Sequence, residues 1–287
     1  MKKILVFGGT SLLGQYLIKS LEESSNFLLY TTVRNIEDLD NNFYKPETEI
    51  IQFEFSKNEI GKLDEIIKEI EPAIIINCIA LLNKKEVTSS EMIFTNSFLP
   101  QYINEVCRKN LTTYFFIQIS SDAVFKGKMG DYSESSSTIP LNFYGLTKLT
   151  GEINDSNCLN IRTSFYGPNL LSTSKNSGFF DWIVKSTGVL SGYKNYFFSG
   201  LSTIRLADEI KTILLKNELR GTVHIAAQKI SKLELLLLIN NNSNKKEVVS
   251  CEEPRTDLTL ISDYRLKYPA THEEMVHELF TFKSFIK

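Results

Sequence analysis

The sequence is poor in the residues that build stapled or metal-held scaffolds. Among its 287 residues are four cysteines, three histidines and one tryptophan. Cys78, Cys107, Cys158 and Cys251 lie far apart, with no C-x-x-C pair and no histidine at ligand spacing, so neither a disulfide framework nor a zinc knuckle is readable. No metal is expected, and a reducing cytoplasm suits such a chain. Neither sign of charge is in excess: 32 Lys+Arg stand against 34 Asp+Glu, for a net charge of -2. That leaves no basic field for gripping a nucleic-acid backbone. Long hydrophobic runs are also missing. The longest candidate, residues 233–239, contains Glu234 and falls far short of the roughly 18 apolar residues a bilayer span requires, so no membrane association is expected.

One stretch imitates an export signal, because Lys2 and Lys3 precede apolar residues 4–7. The run breaks at Gly8-Gly9, and Gln15, Tyr16 and Lys19 then interrupt Leu12, Leu13, Leu17, Ile18 and Leu21 at helical spacing. The segment reads as strand, turn and amphipathic helix, and that rhythm continues. Strands are predicted at 3–7, 27–33, 49–55, 73–78, 113–120 and 158–162, with helices at 12–23, 61–70, 91–109 and 142–155 between them. Alternation of this kind predicts an α/β fold, a doubly wound parallel sheet covered by helices. Beyond Gly167 the pattern loosens into a helix at 179–185, a strand around 193–198, and further elements at 206–216, 223–226 and 232–240.

Gly8-Gly9-Thr10-Ser11-Leu12-Leu13-Gly14 falls at the first strand-to-helix turn, where free backbone N–H groups and the helix dipole suit a pyrophosphate. Read as G-x-x-G-x-x-G, it keeps Gly8 and Gly14 but places Ser11 in the middle position. A turn that only lets a strand pack closely on a helix would need the same glycines. After the second strand, Thr31, Thr32 and Val33 occupy the place of an acidic ribose ligand, and Arg34 can pair with a 2′-phosphate. NADPH is therefore favoured, with NADH the alternative, since Arg34 could simply be solvated and Asp38 or Asp40 could turn to the ribose.

Tyr144-Gly145-Leu146-Thr147-Lys148 is a Y-x-x-x-K, whose spacing puts a phenol and an ammonium on one helix face. A phenol with a pKa of about 10 is a reluctant acid–base group at neutral pH, and a neighbouring lysine cation draws it towards the working range. Upstream, a strand ends in Ser120-Ser121-Asp122, at the sheet edge where open α/β folds place ligands. Ser121 is positioned to hydrogen-bond a substrate carbonyl.

With these motifs in order, the chain resembles the extended short-chain dehydrogenase/reductases, and within them the dTDP-4-dehydrorhamnose reductase-like branch that reduces 4-keto nucleotide sugars. The resemblance covers nearly the whole chain. It rests on residues 8–14, on Asn77-Cys78-Ile79-Ala80, on Asn96, on SSDAVFKG at 120–127 and on YSESSSTIPLNFYGLTKLTGE at 132–152. IRTSFYG at 161–167 and GYKNYFFSGLSTIRLADEI at 192–210 extend it.

The resemblance implies a Rossmann core over residues 1–166 and a smaller, mainly substrate-binding lobe over 167–287, with segments returning to the core. It implies that Tyr144 donates a proton, that Lys148 tunes Tyr144 and binds the nicotinamide ribose, and that Ser121 polarises the carbonyl. Asn96 matches a helix asparagine assigned to a water-linked proton path, although a solvent-facing asparagine would read the same. The cofactor side comprises Gly8, Thr10, Ser11, Leu12, Leu13, Gly14, Arg34, Glu54, Cys78, Ile79, Ala80, Tyr144 and Lys148. The substrate side comprises Ser121, Asp122, Val124, Phe125, Tyr144, Arg162, Asn195, Phe198, Ser199, Ser202 and Thr203, with Arg162 offered as a diphosphate contact and, alternatively, as a structural arginine. A homodimer packed through the helices carrying Asn96 and Tyr144 is implied as well.

Departures from the branch narrow the reaction more than they change it. Ala123 replaces a tyrosine, Glu54 stands where an aspartate commonly meets adenine, and Leu81-Leu82 replaces a more polar stretch. Related 4,6-dehydratases carry Asp-Glu after the catalytic threonine, whereas Asp122-Ala123 lacks that glutamate. An epimerase would need an added Cys and His, and sequence cannot place Cys78 or His224. A silent nucleotide-binding subunit is the remaining alternative, and intact Ser121, Tyr144 and Lys148 argue against it. His272 and His277 are five residues apart, off the i, i+4 face of a helical zinc pair, and are expected on an exposed terminal helix.

Overall fold

The structure is a computed structural model that describes residues 1–40, 42–56, 59–171, 178–216, 218–243, 245–252, 255–267 and 269–284. Its first strand, β1 (Lys2–Phe7), leads into α1 (Leu12–Glu22), then β2 (Phe27–Val33), β3 (Glu49–Gln52), α2 (Lys62–Ile70) and β4 (Ile74–Asn77). A short α3 (Ser89–Met92), a π-helical stretch at Ile93–Phe98 and α4 (Leu99–Asn110) form one broken helix. The core sequence continues with β5 (Phe115–Ile119), α5 (Phe143–Thr150) and β6 (Cys158–Arg162).

A seven-stranded sheet runs in the order β11-β6-β5-β4-β1-β2-β3, where β11 is Gly221–His224, and every ladder in it is parallel. Strands such as Ile74–Asn77 are buried along their whole length, as expected where helices cover both faces. One face packs Leu13, Leu17, Ile18 and Leu21 of α1 against the sheet, and the other packs Leu63 and Ile67 of α2 with Leu99 and Ile103 of α4. Strand order reverses between β1 and β4. The carboxyl ends of those two strands therefore open the crevice in which doubly wound sheets take their ligands.

Beyond β6 the chain forms β7 (Phe165–Tyr166), α6 (Phe179–Lys185), β8 (Leu190–Tyr193), β9 (Tyr196–Phe198), β10 (Leu201–Ser202) and α7 (Thr203–Lys216). After β11 come β12 (Ile230–Ser231), α8 (Lys232–Asn241), β13 (Val248–Cys251), β14 (Thr256–Asp257) and α9 (His272–Ser284). Small sheets tie these pieces together: β9 pairs with both β12 and β14, β8 with β13, and β7 with β10. α7 packs on α1, and β11 joins β6.

Three expectations change. β3 ends at Gln52 rather than residue 55, because its partner β2 also ends, and Phe53 makes the last bond to Val33. α5 stops at Thr150 rather than 155, and the chain turns so that Glu152 faces β6. The terminal helix is not exposed. Met275, Val276 and Leu279 of α9 are buried in the main core, a contribution of about 1.5–3 kcal/mol for each large apolar side chain. His272 is buried with them, its ring bridging the Tyr166 hydroxyl and the Gln228 carbonyl. Among the described residues no helix is long and apolar enough to cross a membrane.

Candidate active site

The glycine loop sits at the β1 end of the crevice. Ser11 caps α1 by accepting the Gly14 N–H at 3.1 Å, so the middle position of the motif serves the helix start. A Cβ on Gly14 would stand 2.1 Å from the Gly8 carbonyl oxygen, which makes glycine obligatory where helix and strand touch. Leu12 and Leu13 are the first helical residues, whose N–H groups have no intrahelical acceptor. With the helix dipole behind them they form a fitting cradle for a dinucleotide pyrophosphate.

Two further cofactor candidates meet at the next strand ends. Arg34 and Glu54 form a 3.7 Å ion pair with side chains 69% and 58% exposed, open to an incoming phosphate. Across the crevice Cys78 is buried at the end of β4, Ile79 is half-buried and Ala80 is exposed. Asn77 holds this bend by accepting the Ile79 N–H at 3.1 Å.

Asn96 is neither solvent-facing nor free. Its amide accepts the Leu81 N–H at 2.8 Å and donates to the Leu81 carbonyl at 2.9 Å and to Thr147 Oγ1 at 3.1 Å. The side chain thus ties the loop after β4 to α5, with both amide protons donated and one bond accepted by the carbonyl oxygen. The π-helical stretch that carries it gives the sequence no signal.

α5 begins at Asn142, whose side chain accepts the Gly145 N–H at 2.9 Å. Gly145 lets the helix press onto the loop after β5, since a Cβ there would lie 2.0 Å from the Ala123 carbonyl oxygen. That contact brings Tyr144 to Ser121. Ser121 Oγ accepts the Ala123 N–H and donates to Asp122 Oδ1, each at 3.1 Å. Burial, then the Asp122 carboxylate, pushes the Tyr144 phenol up to about 12, against the pull of its Ser121 contact. The expected downward tuning by Lys148 is therefore not the outcome in this state, because desolvation and Asp122 dominate. The phenol is held protonated at neutral pH.

Lys148 is buried and donates to the Ile119 carbonyl at 2.7 Å. Burial pulls its pKa down to about 8, opposed by the Glu152 carboxylate. Asp122, also buried, is raised by desolvation and lowered by Lys232, an amine the sequence reading passed over.

Several substrate candidates also make contacts within the fold. Arg162 makes a bidentate pair with Glu152, Nε and Nη2 each at 2.8 Å, and its side chain is only 8% exposed. Its Nη1 has no hydrogen-bond partner among the described residues. Val124 and Phe125 are fully buried with Tyr132, Leu258 and Leu260, at the end of a run that is buried from Ser120 to Phe125. Ser199 accepts the Leu260 N–H, Ser202 accepts the Arg205 N–H at the start of α7, and Thr203 is buried against Gly167. Asn195 lies in the turn between β8 and β9, its carbonyl taking the Thr256 N–H. Phe198 is buried, with the Lys232 ammonium 4.0 Å from its ring centre. Cys78 and His224 end strands separated by β5 and β6, about 14 Å at sheet spacing, so they form no acid–base couple. Among the described residues no His, Cys, Asp and Glu cluster is arranged for a metal.

Among curated proteins, methionine adenosyltransferase 2 subunit beta of Xenopus tropicalis is 29% identical over 160 residues, 53% of this chain and 42% of that protein. The chain thus spans under half the length of these first relatives. The probable low-salt glycan biosynthesis reductase Agl14 of Haloferax volcanii is 28% identical over 233 residues, 78% of this chain and 74% of its own. Among solved structures, dTDP-4-dehydrorhamnose reductase of Bacillus anthracis in complex with NADP superposes with a TM-score of 0.75 at 20% identity, covering 98% of this chain and 99% of that one. A UDP-glucuronic acid 4-epimerase of Bacillus cereus in complex with NAD gives 0.78 at 17% identity, covering 99% of both chains. Those structural likenesses establish the fold, and reductase and epimerase share it. The sequence model described as RmlD substrate binding domain matches residues 1–178, and the chain belongs to that family, as its resemblance to the extended short-chain dehydrogenase/reductases implied.

Proposed function

We propose that the protein reduces the 4-keto group of a nucleotide-activated deoxysugar, with NADPH as reductant. The observation that carries this reading is the close packing of α5, which bears half-buried Tyr144, on the Ser121–Ala123 loop at the carboxyl edge of the sheet, one strand from the switch point. A phenol raised to about 12 is a proton donor throughout the neutral range, the state a ketone reduction requires. Tyr144 Oη gives its proton to the carbonyl oxygen, and Ser121 Oγ donates a hydrogen bond to the same oxygen. Leu12 and Leu13 N–H groups hold the pyrophosphate, Arg34 the 2′-phosphate, and Lys148 the ribose next to the reacting ring. The bound dinucleotide supplies the hydride. Residues up to 166 furnish the cofactor side, and most of the sugar side comes from those after it.

Four reduced thiols support a cytoplasmic setting. Exposed Ile93 and Phe98, before α4, and Phe143 and Leu146 on α5 support a homodimer through that face, which size-exclusion chromatography with light scattering tests.

The assay is purified protein with NADPH and the dTDP-, UDP- and GDP-linked 4-keto-6-deoxy sugars. Consumption of NADPH with one of them is expected, and none with any would sink the reading. Tyr144→Phe should lower turnover by about 10²- to 10⁴-fold while NADPH still binds. The likeness to an adenosyltransferase beta subunit favours a second reading, a nucleotide-binding subunit without turnover. NADPH binding without consumption, together with a copurifying partner, would select it.

A further inference from the structure

Gln15 lies in the first turn of α1, one residue past the glycine motif, and is fully buried. Its amide has a partner for each of its groups. Nε2 donates to the Thr10 carbonyl at 2.9 Å and to Asn169 Oδ1 at 2.7 Å, while Oε1 accepts the Leu170 N–H at 2.8 Å. Ionised glutamate and methionine, of similar length, could not make this set, because neither carries an N–H. The partners come from two regions: Thr10 from the glycine loop, Asn169 and Leu170 from the stretch that leaves β7 for α6.

At the loop, Tyr44 Oη donates to the Gly9 carbonyl at 2.7 Å, as Gln15 does to that of Thr10. Both oxygens are thus committed to donors and do not oppose a phosphate held on the Leu12 and Leu13 N–H groups. At the far end, the Asn169 N–H donates to buried Asp181 Oδ2 of α6 at 2.9 Å, and the Pro168 carbonyl accepts the Tyr16 hydroxyl at 2.9 Å. The residue before α6 also meets the phosphate cradle, since a Cβ on Gly178 would lie 3.6 Å from Leu12 Cδ2. Hydrogen bonds therefore run without a break from Thr10 through Gln15 and Asn169 to Asp181. We propose that Gln15 is a positioning residue that transmits dinucleotide binding to residues 168–171 and α6. A phosphate that orders the loop fixes the Thr10 carbonyl, and with it the amide that holds Asn169 and Leu170. By linkage, a ligand that binds where those residues are ordered tightens the cofactor by the same factor. That this ligand is the nucleotide sugar rests on the ketoreductase reading.

Hydrogen–deuterium exchange with and without saturating NADP⁺ reads the link directly. In the wild type NADP⁺ should slow exchange at residues 8–14, and at the Asn169 and Leu170 amides by about tenfold, an ordinary size for coupling between sites. Gln15→Met should keep the slowing at 8–14 and lose it at 169–170. The readout is the difference made by NADP⁺: a Gln15 that served folding alone would raise the exchange rates in the variant and leave that difference intact. Asn169→Ala cuts one bond of the chain, should bring the difference at Leu170 to an intermediate value, and decides the matter if Gln15→Met does not fold. Slowing at 8–14 that stops short of 169–170 in the wild type overturns the inference, and so does a full difference in either variant. No slowing at 8–14 with NADP⁺ or NAD⁺ overturns the cofactor reading and the inference with it. Failure of the NADPH consumption assay alone leaves this measurement intact, so the two results are separable.

Discussion

Two arginine–glutamate pairs of this protein have opposite characters. Arg162 and Glu152 are 8% and 11% exposed and joined by two 2.8 Å hydrogen bonds, with Ser120 donating to the same carboxylate at 2.6 Å. Arg34 and Glu54 are mostly exposed and only graze one another at 3.7 Å. Sequence inspection offers both arginines as anion ligands. Once an arginine is buried against a carboxylate, however, the cost of breaking the pair exceeds anything a ligand phosphate returns, and the group becomes structural. An exposed, loosely held arginine pays almost nothing to change partners.

The largest effect should come from Glu152→Ala, which strands a buried guanidinium whose Nη1 already has no partner among the described residues. A loss of about 3–5 kcal/mol in urea unfolding is expected, and a loss below about 1 kcal/mol would erase the distinction between the pairs. Glu152 also supports the neighbouring Lys148 charge, so pH is the next probe. Lys148 keeps its ammonium below about 8, and kcat/KM for ketone reduction should hold near neutrality and fall as pH rises through that value. In Glu152→Gln the upward pull is gone and the falling limb should move to lower pH; a limb that stays in place would separate Glu152 from Lys148. Arg34→Ala should weaken NADPH by about tenfold, leave NADH alone and not alter the melting temperature. An equal loss for both cofactors would remove Arg34 from the 2′-phosphate. The smallest change belongs to Glu54→Gln, which frees Arg34 from a competing carboxylate and should tighten NADPH by about twofold. Weaker NADPH binding would mean that Glu54 holds the cofactor rather than competes with it.

Much of the architecture was legible because periodicity is a local property. Strands at 27–33 and 158–162 and the helix at 179–185 appear with those same bounds, each being an apolar run closed by polar or glycine residues. Tyr144 and Lys148 were legible for the same reason, one helical turn apart. The failures cluster where a side chain's surroundings arrive from elsewhere in the chain. Val124 and Phe125 were read from a motif string, which does not say which residues turn inward. Arg162 stood open between a diphosphate contact and a structural arginine because Glu152, its partner, falls inside the span assigned to a longer helix. Lys232 was missed outright, since Phe179, Tyr196 and Phe198 meet around it only after α6, β9 and α8 have packed.

The amino-acid sequence by itself determined the parallel α/β plan, the glycine turn at the first helix and the phenol–ammonium pair, because backbone geometry and i, i+4 spacing act over a few residues. The tertiary structure decided which charges remain available. Burial set Tyr144 upward and Lys148 downward, committed Arg162 to Glu152, left Arg34 in water and gathered three aromatic rings around Lys232. Desolvation and electrostatic pairing depend on what surrounds a group in space, and those surroundings are assembled from segments that lie far apart in the chain, as Tyr166 and His272 do.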